Sequence, residues 1–491
     1  MLEIAKPVDV NWQSLLPLEL LGGLFVLVFL LEVLRRPGSR TTAGFWTLLV
    51  SVVGLAVLIF PPEPVSGAAV VHQMWKLDGL TRLGSVLIFA SLAMVSLAVP
   101  REIRESEHLG EYFALLVGAA LGMVMLLGSN NLLISFLALE LFSLALYLLC
   151  IFFPDKSACQ ESGLKYFILS SLASALMLYG MALIYGSTGS TWLHEIADNI
   201  EQGGLALIIG SAMLAAGFAF KASAVPFHLW TPDVYQGAPS PVTAFMSVAT
   251  KVAAIGALVR FFPLTLGVSS GGQDIARLDW CALIWSLAIL SMLFGNLMAL
   301  SQTNLKRLLA YSGIAQAGYL LAAVSVGTPE ALASLGYYLT VYLFMNTGAF
   351  LVVVCLEELG EELTLASLAG LSLRRPWLAA SLAVCLLSLA GLPPTSGFFA
   401  KVSLFVSLLN APWGMPARYL VAAGLVGSLL SVGYYLKVVV ACYSPGPAPE
   451  PRQELPAPFG LVLGLCVVGV FGLAWWAAPV FAWVQGLLSL G

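Results

Sequence analysis

The chain has 491 residues, of which 59% are apolar and only 10% charged, with a mean hydropathy of +0.94. A soluble protein carries roughly a quarter charged residues, so this is an integral membrane protein. The net charge of −4 is spread over linkers and gives no basic surface for nucleic acid. Seven cysteines (Cys150, Cys159, Cys281, Cys355, Cys385, Cys442 and Cys466) are scattered without a C-x-x-C pair. That pattern argues against a metal centre or a disulfide framework and for small buried thiols.

The N-terminus lacks a basic leader region and a small-residue cleavage site. The first apolar run, 15–34, is long enough to span and precedes "RRPGSR", so it reads as a retained helix. Runs of about seventeen or more apolar residues then follow at 44–60, 83–99, 113–127, 132–153 and 164–185. An interrupted run covers 205–237, followed by 242–262, 281–300, 308–326 and 332–356. A second interrupted run covers 378–409, and 420–442 and 459–484 complete the series. The expectation is an all-α polytopic membrane protein with about 14 transmembrane helices. A Pro-rich linker, "SPGPAPEPRQELPAP", separates the last two spans.

Orientation follows from Lys and Arg in short linkers. Arg35, Arg36, Arg40, Arg101, Arg104, Lys156, Lys306, Arg307, Arg374, Arg375, Lys437 and Arg452 fall on one side, twelve in all. Lys6, Lys76, Arg82, Arg260, Arg277 and Arg418 fall on the other. The richer side is assigned to the cytoplasm, which places both termini outside.

Four of the 22 basic residues remain within spans: Lys165, Lys221, Lys251 and Lys401. Lys165 lies near a cytoplasmic end, where its amine can snorkel to the interface. The other three look deep, as does Glu140 in "SFLALELFSLALYLL". A charged side chain at the centre of a spanning helix costs about 2.5–3.5 kcal/mol on the insertion scale. Ion pairs that merely lock helices together are the plain alternative. Three lysines and a glutamate in series fit an ion path better than glue.

Both interrupted runs place a break beside a lysine. "FKASAVPFHLW" joins Lys221 to Pro226, and "GLPPTSGFFAKVSLF" joins Pro393, Pro394 and Gly397 to Lys401. Proline removes a backbone N–H and clashes with the preceding turn. At membrane depth the freed groups are tolerated only against protein or a water-filled cavity. Matching breaks in two halves point to a transport site. They fall five spans apart, in the seventh and twelfth, which suggests two five-helix repeats, spans 4–8 and 9–13. An odd number of spans per copy makes the second copy inverted. The expected segments are 1–110 (three N-terminal helices), 111–265 and 278–445 (the repeats) and 456–491 (a last helix).

"FKASAVPFHLWTPDVYQGAPSPVTAFMSVATKVAA" (220–254), "ESGLKYFILSSLASALMLYG" (161–180), "TNLKRLLAYSGIAQAGYL" (303–320) and "GLPPTSGFFAKVSLF" (391–405) resemble the antiporter-like membrane subunits of bacterial respiratory complex I, the proton-pumping NADH:quinone oxidoreductase, in their N type. The resemblance runs from about residue 110 to 440. It implies proton-translocating roles for Glu140, Lys221, Lys251 and Lys401, with a secondary one for Lys165. Lysine rather than glutamate at 401, and the end of the chain at Gly491, separate it from the M and L types. His228 and Asp233 flank the first break at positions the family keeps polar, and a cap or loop role suits them best. The implied partners are other complex I membrane subunits (antiporter-like paralogues and small membrane subunits) and lipid. FMN, iron–sulfur clusters and quinone are expected on partner subunits and no cofactor on this chain. The implied location is the bacterial inner membrane.

No G-x-G-x-x-G after a strand, cysteine cluster or paired-histidine pattern is present, and His72, His108, His194 and His228 sit near loops or interfaces. Electron transfer is therefore assigned to partners. Alternatives are a cation/proton antiporter subunit, a non-transporting scaffold, and the N-type subunit of a related complex fed by ferredoxin or a deazaflavin.

Overall fold

Apolar runs become helices because a lipid-exposed backbone must satisfy its hydrogen bonds within its own segment. The computed structural model describes residues 12–35, 42–60, 74–267, 274–412, 414–446 and 456–489. Lys6, Arg36, Arg40, His72 and Arg452 lie outside the described residues. The N-terminal helices are α1 (Trp12–Val33), α2 (Ala43–Ile59), α3 (Gly79–Leu97) and the single turn α4 (Arg101–Arg104). Next come α5 (Leu109–Gly128), α6 (Leu132–Cys150), α7 (Ser157–Thr188), α8 (Leu193–Asp198), α9 (Ile200–Ala222), α10 (Thr231–Gly237) and α11 (Ser240–Phe261). The second half holds α12 (Asp274–Leu300), α13 (Leu305–Val326), α14 (Pro329–Glu358), α15 (Leu371–Arg374), α16 (Pro376–Ala390), α17 (Ser396–Leu409) and α18 (Met415–Tyr443), followed by α19 (Ala457–Trp475) and α20 (Ala477–Ser489).

Among the described residues, twelve helices are long and apolar enough to cross a membrane. Four shorter apolar helices are α2 with 17 residues, α16 with 15, α17 with 14 and α20 with 13. The run at 459–484, read as one span, is two helices meeting at Trp476. Pro479 has no N–H to offer the Trp475 carbonyl one turn back, so the ladder stops there.

Several helices start on a side-chain cap that satisfies an otherwise unpaired N–H. Asp78 accepts from Thr81 N (3.0 Å) and Asn304 from Arg307 N (3.1 Å). Asp78 also ties α3 to α11, because Arg260 Nη2 donates to it at 2.8 Å while Arg260 Nε reaches the Leu127 carbonyl at 2.7 Å. Burial alone would raise the Asp78 carboxyl, but the Arg260 guanidinium beside it holds it below the usual carboxylate value.

The spans of α11 and α13 are wholly buried and that of α14 nearly so, whereas α1 and α19 are largely peripheral. The same neighbour pattern occurs twice. α5 meets α6, α6 meets α7, α7 meets α9, α9 meets α11 and α11 meets α5. On the other side, α12 meets α13, α13 meets α14, α14 meets α16, α16 meets α18 and α18 meets α12.

Candidate functional site

The two breaks are built alike. α9 ends in a left-handed residue, Ser223 (φ 64°), and α16 in another, Gly391 (φ 83°). That conformation closes a helix C-terminus by returning N–H groups to the last carbonyls. Ala224 N donates to Ala219 O at 2.8 Å, and Leu392 N to Leu387 O at 3.1 Å. The remaining freed groups find side chains. Val225 N donates to Ser291 Oγ on α12 (2.9 Å), and Trp230 Nε1 to Phe220 O (2.9 Å). At the second break Lys401 Nζ donates to Ala390 O (2.8 Å) and Gln316 Nε2 to Leu389 O (3.2 Å). Val225–Pro226 and Pro393–Pro394 are both cis.

Lys221, in the last turn of α9, is 1% exposed. Its ammonium donates to Ser170 Oγ on α7 at 2.6 Å. Four rings surround it, those of Tyr166, Phe220, Phe142 and Tyr147, with centroids 4.9, 5.4, 5.5 and 5.6 Å away. A desolvated cation gains from each ring face, up to about 2 kcal/mol. Glu140 is half-buried on α6 and accepts a hydrogen bond from Ser174 Oγ, also on α7. No ion pair joins Glu140 to Lys221. α7 packs against both α6 and α9, and its two serines, one turn apart, each hold one of the charges. Two serines and an aromatic cage thus hold the two charges.

Lys251, on α11, is 0% exposed. Its nearest acceptor is the Ser247 carbonyl at 3.4 Å, and the Tyr235 ring lies 5.7 Å away. A methyl group at Gly313 of α13 would come within 3.2 Å of Lys251 Nζ and 3.6 Å of Tyr342 Oη, so that glycine leaves the amine its room. Lys401, on α17, is 4% exposed and sits 4.9 Å from the Tyr319 ring centroid. None of these three lysines takes part in an ion pair among the described residues.

Lys165 stands apart. Its side chain is 41% exposed and pairs with Glu161 and Asp233, both at 2.7 Å. Arg307 joins the same Asp233 at 2.6 Å. Asp233 is therefore an ion-pair hub between α7, α10 and α13, not the helix cap or plain loop residue expected for it. His228 is buried in the first break, its ring 4.9 Å from that of Phe294.

Residue-by-residue reading of the sequence passed over the polar side chains that lie between the lysines. On α13, Ser312, Gln316 and Tyr319 recur at helical spacing, between the neighbourhoods of Lys251 and Lys401. Ser312 bonds Tyr435, and Tyr338 donates to Gln316. Buried polar atoms without a protein partner gather in the same interior: Ser223 Oγ, Tyr235 Oη, Tyr342 Oη and Asn346 Oδ1. Buried polar groups are ordinarily paired, by water where protein is lacking. The available signal was polar residues every three or four positions in "AYSGIAQAGY", on a helix otherwise apolar.

A bundle of membrane helices with two interrupted members and buried, unpaired lysines defines a polytopic membrane protein of the antiporter-like class. Residues 129–431 match the family described as "NADH:quinone oxidoreductase/Mrp antiporter, TM", and the chain belongs to that family. Its relatives include NADH-quinone oxidoreductase subunit N 2 of Chloroherpeton thalassium, 37% identical over 90% of this chain and 87% of that one. NADH-quinone oxidoreductase subunit N of Trichlorobacter lovleyi is 41% identical over 94% of this chain and 93% of that one. Among solved structures, a chain of the respiratory complex I of Thermus thermophilus superposes with a TM-score of 0.79 at 32% identity, over 95% of this chain and 98% of that one. A chain of the Mrp complex of a Dietzia species shares the fold, with a TM-score of 0.85 at 22% identity over 98% and 97%.

Proposed function

We propose that this chain is a proton-translocating membrane subunit of an NADH:quinone oxidoreductase, carrying protons through Lys221, Lys251 and Lys401 while partner subunits oxidise NADH and reduce quinone. The observation that carries this reading is the burial of three lysines without a counter-ion. A buried ion without a partner is several kcal/mol less stable than in water, and intramembrane ionisable groups of this kind mark ion pathways. The subunit N relatives and the complex I likeness at 32% identity supply the rest.

The twofold neighbour pattern supports two repeats, α5–α11 and α12–α18, preceded by α1–α3 and followed by α19–α20. Counting α2 and the broken pair α16/α17 as one crossing each gives fourteen crossings, with both termini outside an inner membrane. Glu140 acts on Lys221 through α7: a shift of α7 moves Ser170 and Ser174 together, and with them the separation of the two charges. Lys165 orders the cytoplasmic rim. Redox cofactors reside on partners, among them antiporter-like paralogues.

Proton-to-electron stoichiometry of the assembled complex in membrane vesicles tests this. Lys221→Ala and Lys251→Ala are each expected to lower it while the complex still assembles. Lys221→Arg is expected to restore it only in part, because a guanidinium does not release its proton. Unchanged stoichiometry in both alanine variants overturns the reading.

A further inference from the structure

Lys306 reads in the sequence as one more basic residue of a cytoplasmic linker, yet it is only 3% exposed. It is the second residue of α13, where the helix dipole favours an anion rather than a cation. Its ammonium donates to the Ala238 carbonyl, at the junction of α10 and α11, at 2.7 Å, and lies 3.3 Å from Glu357. Glu357 is itself 38% exposed.

Two clefts of about 660 and 580 Å³ meet at these residues, and Lys306 and Glu357 line both. Glu102, Glu105 and Glu361 stand in the wall of the larger one, paired with Lys156, Arg101 and Arg374 respectively. So does Ser240, whose hydroxyl is buried without a hydrogen-bond partner. On the other side of Lys306, α13 itself leads inward past the buried Leu309 and Ala310. Gly313 lies seven residues along α13, which puts it on the same helix face about 10 Å deeper. Gly313 is also the residue against which Lys251 Nζ rests.

We propose that Lys306, with Glu357, is the cytoplasmic inlet of the proton path, loading Lys251 along the Lys306–Gly313 face of α13. This rests on the function proposed above. The Lys306 ammonium gives one N–H proton inward, toward Lys251, and the amine takes one back from Glu357 or from water in the clefts. Proton number is conserved and no electrons move. The Ser240 hydroxyl offers a further hydrogen-bonding stop beside the Ala238 carbonyl.

The test replaces Lys306 in the assembled complex and measures proton-to-electron stoichiometry alongside quinone reductase activity in detergent. Lys306→Arg and Lys306→Gln both keep a donor for the Ala238 carbonyl, and neither can pass a proton as an amine does. An inlet predicts that both variants assemble, with stoichiometry reduced to the extent seen in Lys251→Ala. A residue that only ties α13 to the α10–α11 junction predicts that both retain normal stoichiometry, which overturns the inference. If Lys251→Ala pumps normally, the reading of the whole path fails first. If Lys251→Ala is defective and both Lys306 variants pump normally, only the inlet fails. Glu357→Gln is expected to show a milder loss, about twofold to threefold, because the cleft water still reaches Lys306; no loss there assigns refilling to the clefts alone and overturns the role of Glu357.

Discussion

Lys221 illustrates how much of a charge's setting comes from neighbours other than its opposite charge. Its ammonium faces four rings and one hydroxyl, and the carboxylate of Glu140 is held one turn along the same serine-bearing helix. Glu140→Gln keeps an acceptor for Ser174 and removes the charge. Pumping is expected to fall at least tenfold, about 1.4 kcal/mol, in a complex that still assembles. The double variant Glu140→Gln with Lys221→Ala is expected to be little worse than either alone, since residues in one network are not additive. Fully additive losses measured in vesicles would separate the two residues. On the function proposed above, Lys401 has two tasks that substitution can divide. Lys401→Ala leaves the Ala390 carbonyl without its donor, a loss of about 1–3 kcal/mol, and is expected to lower both the amount of complex and its pumping. Lys401→Gln is expected to restore the amount of complex but not the pumping, as read by immunoblot and by stoichiometry.

At the scale of elements, the breaks hold together through close approach and borrowed hydrogen bonds. A methyl group at Gly397 would lie 1.8 Å from the Ser388 carbonyl, so α17 can meet the end of α16 only with glycine there. Gly397→Ala is expected to destabilise the second break by about 1–3 kcal/mol, seen as a lower inactivation temperature of the purified complex. Gly464→Ala on α19, where nothing lies within 4 Å, is expected to be neutral and serves as the control. Ser291→Ala tests the bond that crosses between the halves. It strips the Val225 N–H of its acceptor, and a loss of about 1–3 kcal/mol is expected in the same thermal assay.

For the whole molecule, the orientation proposed from the distribution of basic linkers can be measured directly. Lys156 and Arg418 are exposed and belong to opposite faces on the charge count. Lys156→Cys is expected to react with a membrane-impermeant maleimide only when the cytoplasmic side is presented, and Arg418→Cys only from the other side. All seven native cysteines are buried, so background labelling should be low. Reaction of both from one side contradicts the assignment. In the orientation proposed from the charge count, the clefts at Lys306 and the Lys165–Asp233–Arg307 cluster lie on the cytoplasmic face, together with the second half of the first broken helix.

The sequence by itself determined the solvent, the helical class, the places where helices break and the three lysines that stay inside. These are local properties: apolar run length, proline and glycine within a run, and a charge flanked by apolar residues each leave a mark within about twenty positions. The tertiary structure alone decided which charges are partners and how deep each lies. Lys306 and Lys156 read alike as linker lysines, yet one is closed under the α10–α11 junction and the other is exposed. Lys165 and Lys221 both lie in apolar runs, yet one meets two acids at the rim and the other four rings in the interior. The ring cage draws Phe142, Tyr147, Tyr166 and Phe220 from three helices up to 78 positions apart in number, from 142 to 220. Burial and pairing depend on which helices pack together. That is set by the summed fit of many weak apolar contacts, which no single stretch of the chain contains.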